Sequence, residues 1–536
     1  MENYVIGIDV GTGSARAGLF DLKGELKATE KRDITTWRDG PLIVEQSSEN
    51  IWAAICACVR GVVGKAGIRP EQVIGIGTDA TCSLVVVDAL GGPIGVGPSG
   101  DANRNIIVWM DHRARSQAAR INELGHDVLR YVGNSISPEM ETPKLLWLKE
   151  NMPEVFASAA HFFDLADYIT WRATGSLDRS ICTTTCKWTY LGHERRWDDS
   201  YFRSIGLGEL VDEGYQRIGV NIVDAGTALG KGLTTAAAAD FGLEVGTPIA
   251  AGLIDAHAGG VGTVGAAGNG SATSRLAYVF GTSACTMAST VKPAFVPGVW
   301  GPYFSAMVPG LWLNEAGQSA AGAAIDHLVM MHPASVEAAK QAKAAGMGLS
   351  AWLADQASQN KSASLSRIAE LASGVHVVPE FLGNRAPFAD PNARAIIAGL
   401  TMDTSIDSLI AIYIAGICGL GYGLRQIIEV QKEQGIEVTE IVASGGAGQS
   451  HLVRQLLADA TGLKVTAPKT EEPVLLGSAM LGAVTSGAYA DLTTAMSAMS
   501  AMGSEYLPAS SDFLAWHTRR YEGFKLLQEV GRKVHR

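Results

Sequence analysis

Residues 6–21 read IGIDVGTGSARAGLFD, and this stretch decides the fold. Apolar residues fill 4–9 and 14–21, and Val10-Gly11-Thr12-Gly13 separates them as a turn. Short apolar runs joined by Gly-rich turns make antiparallel strands. After a second turn at 22–24, a third run extends from about 25 to 36, so the chain opens as a three-stranded meander. Working outward, 49–65 places Ile51, Trp52, Ile55, Val59, Val62 and Val63 on one helical face. A short strand follows at 72–77, with further strands at 82–88 and 106–109 and helices at 113–125 and 143–151.

The opening pattern recurs. Residues 277–281, a turn at 282–284 and residues 285–290 again give strand, Gly-Thr-Ser turn, strand. A strand at 440–444 runs into Gly445-Gly446 and a helix at 449–461; its first-half counterpart is 73–77 running into Thr78-Asp79. Two halves with the same order of parts predict a duplicated fold with a cleft between them. The small, polar tract AAGNGSATS at 266–274 marks the boundary. The biased tract AMSAMSAMG at 495–503 reads as a peripheral helix.

Bulk properties agree with a large globular chain. Its 536 residues exceed one core, and 47% hydrophobic and 18% charged residues with 62 glycines fit a turn-rich globule. A net charge of −11 argues against nucleic acid or an acidic membrane as partner, since both need basic surface. ATP is not excluded, because backbone N–H groups and Mg²⁺ can hold its phosphates locally. The first residues, MENYVIGIDVG, lack the basic and apolar regions of a signal peptide. LIAIYIAGICGLGYGL at 409–424 is short for a membrane span and carries four glycines, so a buried helix is expected there. Seven cysteines (56, 58, 82, 182, 186, 285 and 418) show no zinc-site spacing and read as free thiols of a cytoplasmic protein.

Two nucleotide-like motifs are set aside. Gly260-Val-Gly262-Thr-Val-Gly265 matches G-x-G-x-x-G outside a βαβ context, and its glycines read as close helix packing. GTALGKG at 226–232 lacks P-loop spacing. The turn after Asp9 is different, because its backbone N–H groups can form an anion nest. Thr12 and Ser14 add hydroxyls there, and Asp9 can hold hydrated Mg²⁺. The second copy, Gly281-Thr282-Ser283, would clamp the same polyphosphate from the other side. Asp255, in GLIDAHAG, stands where an apolar strand meets a helix start; it reads either as a helix cap or as a general base for a substrate hydroxyl. Ser444-Gly445-Gly446-Ala447-Gly448 suits close approach of a flat base or tight packing. Glu315 is expected to open an Ala-rich helix, and WMDHRA (109–114) and CKW (186–188) suit either a sugar or surface ion pairs.

Together these residues resemble the FGGY family of carbohydrate kinases. The landmarks occur in family order from IGIDVGTGSARAGLFD through WMDHRA, GLIDAHAG, FGTSA (280–284), EAGQSAAG (315–322), GNRAPFADP (383–391) and SGGAGQS (444–450) to EPVLLGSAMLGA (472–483). The resemblance implies an α/β fold of two ribonuclease H-like, actin/hexokinase-type domains with mixed sheets flanking a central cleft. It implies a sugar-binding domain at 1–270, an ATP-binding domain at 271–490 and a C-terminal helical extension at 491–536. Asp255 would be the catalytic base and Asp9 would hold Mg²⁺. Gly11, Thr12, Ser14, Gly281 and Thr282 would contact phosphates, and Gly446, Ala447 and Ser450 would line the adenosine. Relatives place Asn at the Ser450 position, so this shorter hydroxyl would reach the base through water. Ala80 and Thr81, in TDATCSL (78–84), would line the sugar, with Lys187 and Glu315 bonding its oxygens. That segment with CKWTYL (186–191) resembles the ribulokinase branch, closest to the D-ribulose kinases. The implied activity is phosphorylation of D-ribulose by ATP. Alternatives are L-ribulose, xylulose or a pentitol as acceptor, or an actin- or chaperone-like ATPase. The implied partners are sugar and ATP, without nucleic acid or membrane, and a homodimer is compatible with the reading.

Overall fold

The computed structural model describes residues 2–268, 270–359 and 364–534. The opening meander forms as β1 (Tyr4–Val10), β2 (Ser14–Asp21) and β3 (Leu26–Asp33), each antiparallel to the next. Strands β4 (Val73–Ala80) and β5 (Leu253–Ile254) add in parallel on the other side of β1, giving a mixed sheet of order β5-β4-β1-β2-β3. Every residue of β1 is buried, as a near-continuous apolar run covered on both faces demands. Helix α1 (Ser48–Ala66) covers one face; Ser47 caps its start by accepting the Asn50 N–H, and Gly67 ends it in the left-handed conformation.

The second sheet repeats this plan. Strands β6 (Arg275–Phe280) and β7 (Ala284–Thr290) are antiparallel, β9 (Trp312–Gln318) pairs with β7, and β8 (Trp300–Phe304) edges β9. On the other side of β6 lie the parallel strands β10 (Glu440–Ser444) and β11 (Lys464–Pro468). The sheets thus share a three-stranded antiparallel core flanked by parallel strands. The repeat read in the sequence is a structural one.

Between the halves lie helices α3 (Asp255–Val264), which follows β5, and α7 (Pro473–Thr485). Although α7 comes late in the chain, it packs on β1 and β4 of the first sheet. Two glycines permit this approach. A Cβ on Gly77 would lie 1.8 Å from the Ser478 carbonyl, and one on Gly262 would lie 2.0 Å from the Pro473 carbonyl. The G-x-G-x-x-G at 260–265 therefore serves helix packing.

Three expectations are corrected. The segment expected to be a helical extension holds α8 (Leu492–Met499), a strand β12 (Met502–Tyr506) and α9 (Ser511–Val534). Strand β12 pairs with β11 as the outer strand of the second sheet. Helix α8 is not peripheral: Leu492, Ala495, Met496 and Met499 are buried in the main core, so its methionines fill space against neighbouring helices. Glu315 lies within β9, opposite Met287, and the helix it was expected to open, α4 (Gly322–Met330), starts seven residues later. Local composition favoured a helix there, and sheet pairing overrode it. The apolar tract at 409–424 lies in α5 (Ile406–Glu433). By length and composition this helix could cross a membrane, but 72% of its most apolar window is buried, and it forms the core of the second half.

Candidate active site

The carboxyl ends of β1 and β4, the start of α3 and the turn after β6 converge on a cleft of about 400 Å³. Parallel strands present their carboxyl ends together, so ligands collect there. Asp9 and Asp79 sit side by side in the β1/β4 register. Arg16 donates from Nε to Asp9 Oδ2 at 2.8 Å and from Nη1 to Glu472 Oε2 at 2.7 Å, which fixes the Asp9 carboxylate. Asp79 is fully buried and accepts from the Ser478 hydroxyl, while its Oδ1 has no partner. Burial, then the Asp9 charge, pushes the Asp79 carboxyl well above its ordinary value.

Asp255 is the first residue of α3, and the cap position belongs to Ile254. Its Oδ1 accepts the Ala256 N–H at 2.7 Å, so the side chain does satisfy one first-turn donor. No protein donor among the described residues bonds Oδ2. Burial, with the Asp9 charge behind it, raises the Asp255 pKa to about 6. The residue thus faces the cleft as a carboxylate close to neutrality, suited to proton transfer.

Deeper in the cleft, His257 joins three elements. Its Nδ1 is 3.1 Å from Cys182 Sγ on α2 (Ile181–Lys187), and its Nε2 is 3.3 Å from Glu315 Oε2 on β9. Burial opposes a charge on His257, but Cys182 and Glu315 outweigh it and raise its pKa. Burial likewise opposes ionisation of Glu315, but Lys187 and His257 hold its pKa near 2. Burial opposes a charge on Lys187, 4% exposed at the end of α2, but Cys82 and then Glu315 outweigh it and raise its pKa.

The structure brings together Asp9, Gly11, Thr12, Thr81, Lys187, Asp255, Gly281, Thr282 and Glu315 around this cleft. Thr12 Oγ1 accepts from Trp109 Nε1 at 3.0 Å, so the first residue of WMDHRA buttresses the hairpin. Asp111 and Arg113 from the same run are not surface charges: they form a buried ion pair that extends to Glu45. A second cavity of about 650 Å³ holds Gly446 and Ser450 beside Phe280, Gly322 and Tyr413. Ser450 caps α6 (His451–Thr461), accepting the Val453 N–H at 3.5 Å. Ala447 belongs to the turn between β10 and α6, and its side chain is outside the described residues. Phe280 lines this cavity and Gly281 the cleft, so both hollows border the end of β6.

Two expected residues stand apart. Ala80 is fully buried in the core below the cleft, because strand alternation turns it away while Thr81 faces in. Ser14 faces a neighbouring groove on the outer side of the hairpin. Sequence reasoning missed Glu139, Trp300 and Arg385 in the cleft wall, and Asp79 and Arg16 beside Asp9. Arg385 lies within a quoted landmark, GNRAPFADP, whereas nothing near Trp300 or Glu139 signals a site.

Comparison with known proteins shows the family. The FGGY family of carbohydrate kinases, N-terminal domain, matches residues 4–262, and its C-terminal domain matches 276–486. A human protein described as FGGY carbohydrate kinase domain-containing is 45% identical, the alignment covering 98% of this chain and 96% of the relative. D-ribulokinase of Saccharomyces cerevisiae is 40% identical, covering 90% of this chain and 72% of the relative. Among solved structures, xylulose kinase from Rhodospirillum rubrum superposes with a TM-score of 0.80 at 21% identity, covering 99% of this chain and all of that one.

Proposed function

The chain belongs to the FGGY family of carbohydrate kinases, and from that premise we propose that it transfers the terminal phosphoryl group of ATP to the C5 hydroxyl of D-ribulose. The observation that carries the acceptor is the 40% identity to a D-ribulokinase along 90% of the chain. The cleft is consistent with it: Asp255, Lys187 and Glu315 converge in about 400 Å³, room for a small sugar.

In this reading Asp255 Oδ2 accepts the proton of the C5 hydroxyl as its oxygen attacks the γ-phosphorus and ADP leaves. With a pKa of about 6, roughly nine-tenths of Asp255 is ionised at pH 7 and still basic enough to take a proton. The hairpins at Gly11-Thr12 and Gly281-Thr282 hold the polyphosphate from opposite sides with backbone N–H and hydroxyl donors. The base lies in the adjoining cavity, against Gly446 and Ser450. Lys187 donates to, and Glu315 accepts from, sugar oxygens.

Among the described residues no three His, Cys, Asp or Glu side chains form a metal cage. Mg²⁺ in kinases needs no cage, since it keeps waters and phosphate oxygens. The partnerless Oδ1 of buried Asp79, next to Asp9, fits a hydrated cation. Asp9 and Asp79 would hold Mg²⁺, which when bound neutralises phosphate charge. Arg16 keeps Asp9 in place for that role.

A coupled ADP-release assay over D-ribulose, L-ribulose, D-xylulose, pentitols and glycerol tests the acceptor. D-ribulose should exceed the others in kcat/KM by at least about tenfold, because misplaced hydroxyls leave buried polar groups unpaired. A different winner would overturn D-ribulose and leave the kinase family untouched.

A further inference from the structure

One end of the cleft is rich in cationic hydrogen-bond donors. Lys187 Nζ lies 4.9 Å from the centre of the Trp300 indole ring, and the Arg385 guanidinium carbon lies 5.5 Å from the same centre. Both side chains line the cleft that holds Asp255. Neither makes an ion pair among the described residues; the one hydrogen bond of Arg385 is a long contact to Cys285 Sγ at 3.7 Å. Buried Arg113 and Arg275, by contrast, are both paired to carboxylates. The nearby carboxylates each give one oxygen to a histidine. Glu315 accepts from His257, and Glu139 Oε1 lies 3.4 Å from His112 Nε2. Two cations that make no close ion pair beside an aromatic face keep donors available to a ligand.

The loop carrying Arg385 is held in advance. Asn384 and Asp390 exchange two backbone hydrogen bonds of 2.8 Å. Asn384 Nδ2 and Gln528 Nε2, the latter from α9, both donate to Glu380 Oε1 at 2.6 Å. Such support fixes a ligand-reading side chain before the ligand arrives.

The chemistry of the acceptor states what those donors meet. A ketopentose closes to a furanose through its C5 oxygen, so a C5 hydroxyl free to attack phosphorus belongs to the open chain. That chain exposes a C2 carbonyl, which accepts hydrogen bonds and donates none. A pentitol carries a hydroxyl at the same carbon, and its proton has to turn away from both cations. We propose that Arg385, together with Lys187, receives the carbonyl oxygen of an open-chain 2-ketose, making Arg385 a specificity-determining residue that selects the acyclic keto form over the corresponding polyol. The inference rests on the ketopentose kinase reading above.

Two measurements test it. In the wild-type enzyme, D-erythrulose, a four-carbon 2-ketose too short to close a furanose, should be phosphorylated at least about tenfold more efficiently than erythritol. Equal use of the two sinks the proposal without any variant. In Arg385→Met, kcat/KM for D-ribulose should fall at least about tenfold further than that for ribitol, with the KM for ATP unchanged, the usual scale for losing a charged donor. Arg385→Lys, which keeps a charge and one donor direction, should retain part of the preference. Equal losses for ketose and polyol would overturn the assignment, as would D-ribonate outcompeting both, which would mark an anion site. If D-ribulose fails in the wild-type panel, the acceptor reading is at fault; if D-ribulose wins there and Arg385→Met leaves its preference over ribitol intact, only this inference is wrong.

Discussion

At the scale of single residues, proton transfer should depend on Asp255 alone. Asp255→Asn keeps the shape and the Ala256 contact but cannot take a proton. We expect kcat to fall about 10²–10⁴-fold with nucleotide affinity little changed, as measured by steady-state kinetics and nucleotide titration. Near-normal turnover would leave Asp255 as a helix-start residue only. The raised pKa sets the pH dependence. Burial favours the protonated form up to about pH 6, and the protonated form is not a base. The kcat/KM profile should therefore drop on its acid side with an apparent pKa near 6, and the drop should vanish in Asp255→Asn. Gly446 offers the complementary test in the second cavity. It is exposed, and a Cβ there would meet nothing within 4 Å, so Gly446→Val should fold normally. We expect a clear rise in the KM for ATP with the sugar KM retained; unchanged nucleotide binding would place adenosine elsewhere.

At the scale of elements, the sandwich of β4, α7 and α3 explains what the sequence could and could not disclose. Gly262 abuts the Pro473 carbonyl across more than two hundred residues of chain. Gly262→Val should destabilise the protein by at least about 2 kcal/mol, visible as a lower Tm, because backbone rather than a flexible side chain fills the space. A normal Tm would mean that the helices are less closely packed than found. The meander at 4–33 and its repeat at 275–290 were legible because short apolar runs and Gly-rich turns are local signals. The hydroxyls and carboxylate of these turns came with them: Asp9, Thr12 and Thr282 reach the cleft, as does Asp255 from the strand–helix junction before α3. Position within a strand was less legible. Ala80 and Thr81 are neighbours in sequence, yet only Thr81 faces the cleft, and the difference is one step of strand alternation. Glu315 was assigned to a helix since its neighbours are small, and only pairing with β7 makes it a strand residue. Glu139 and Trp300 had no local signal at all, and Arg385 only its place in a landmark, because these three meet in the cleft wall through long-range assembly.

At the scale of the whole molecule, the two halves face one another across separate hollows that a single ATP has to span. The residues proposed to hold phosphate come from both sides, Gly11-Thr12 from the first sheet and Gly281-Thr282 from the second. The residues proposed to bind the sugar are divided the same way, with Lys187 on the first half and Glu315 and Arg385 on the second. Ligands that bind groups on both halves favour whichever arrangement brings those groups together, to the extent that they bind it better. The α3–α7 packing lies between the sheets and is too tight to separate, so it is the natural pivot, and the motion should be a rotation of the sheets about it. Closure would also exclude water from Asp255 and the γ-phosphate, which a phosphoryl transfer in competition with hydrolysis requires. We therefore expect small-angle scattering to give a smaller radius of gyration with D-ribulose and a non-hydrolysable ATP analogue together than with either ligand alone. Gly446→Val should blunt the change at a given analogue concentration, since it weakens nucleotide binding without touching the pivot. An identical scattering profile under saturation by both ligands would make the cleft a rigid, preformed site, and water exclusion would then have to come from the ligands themselves.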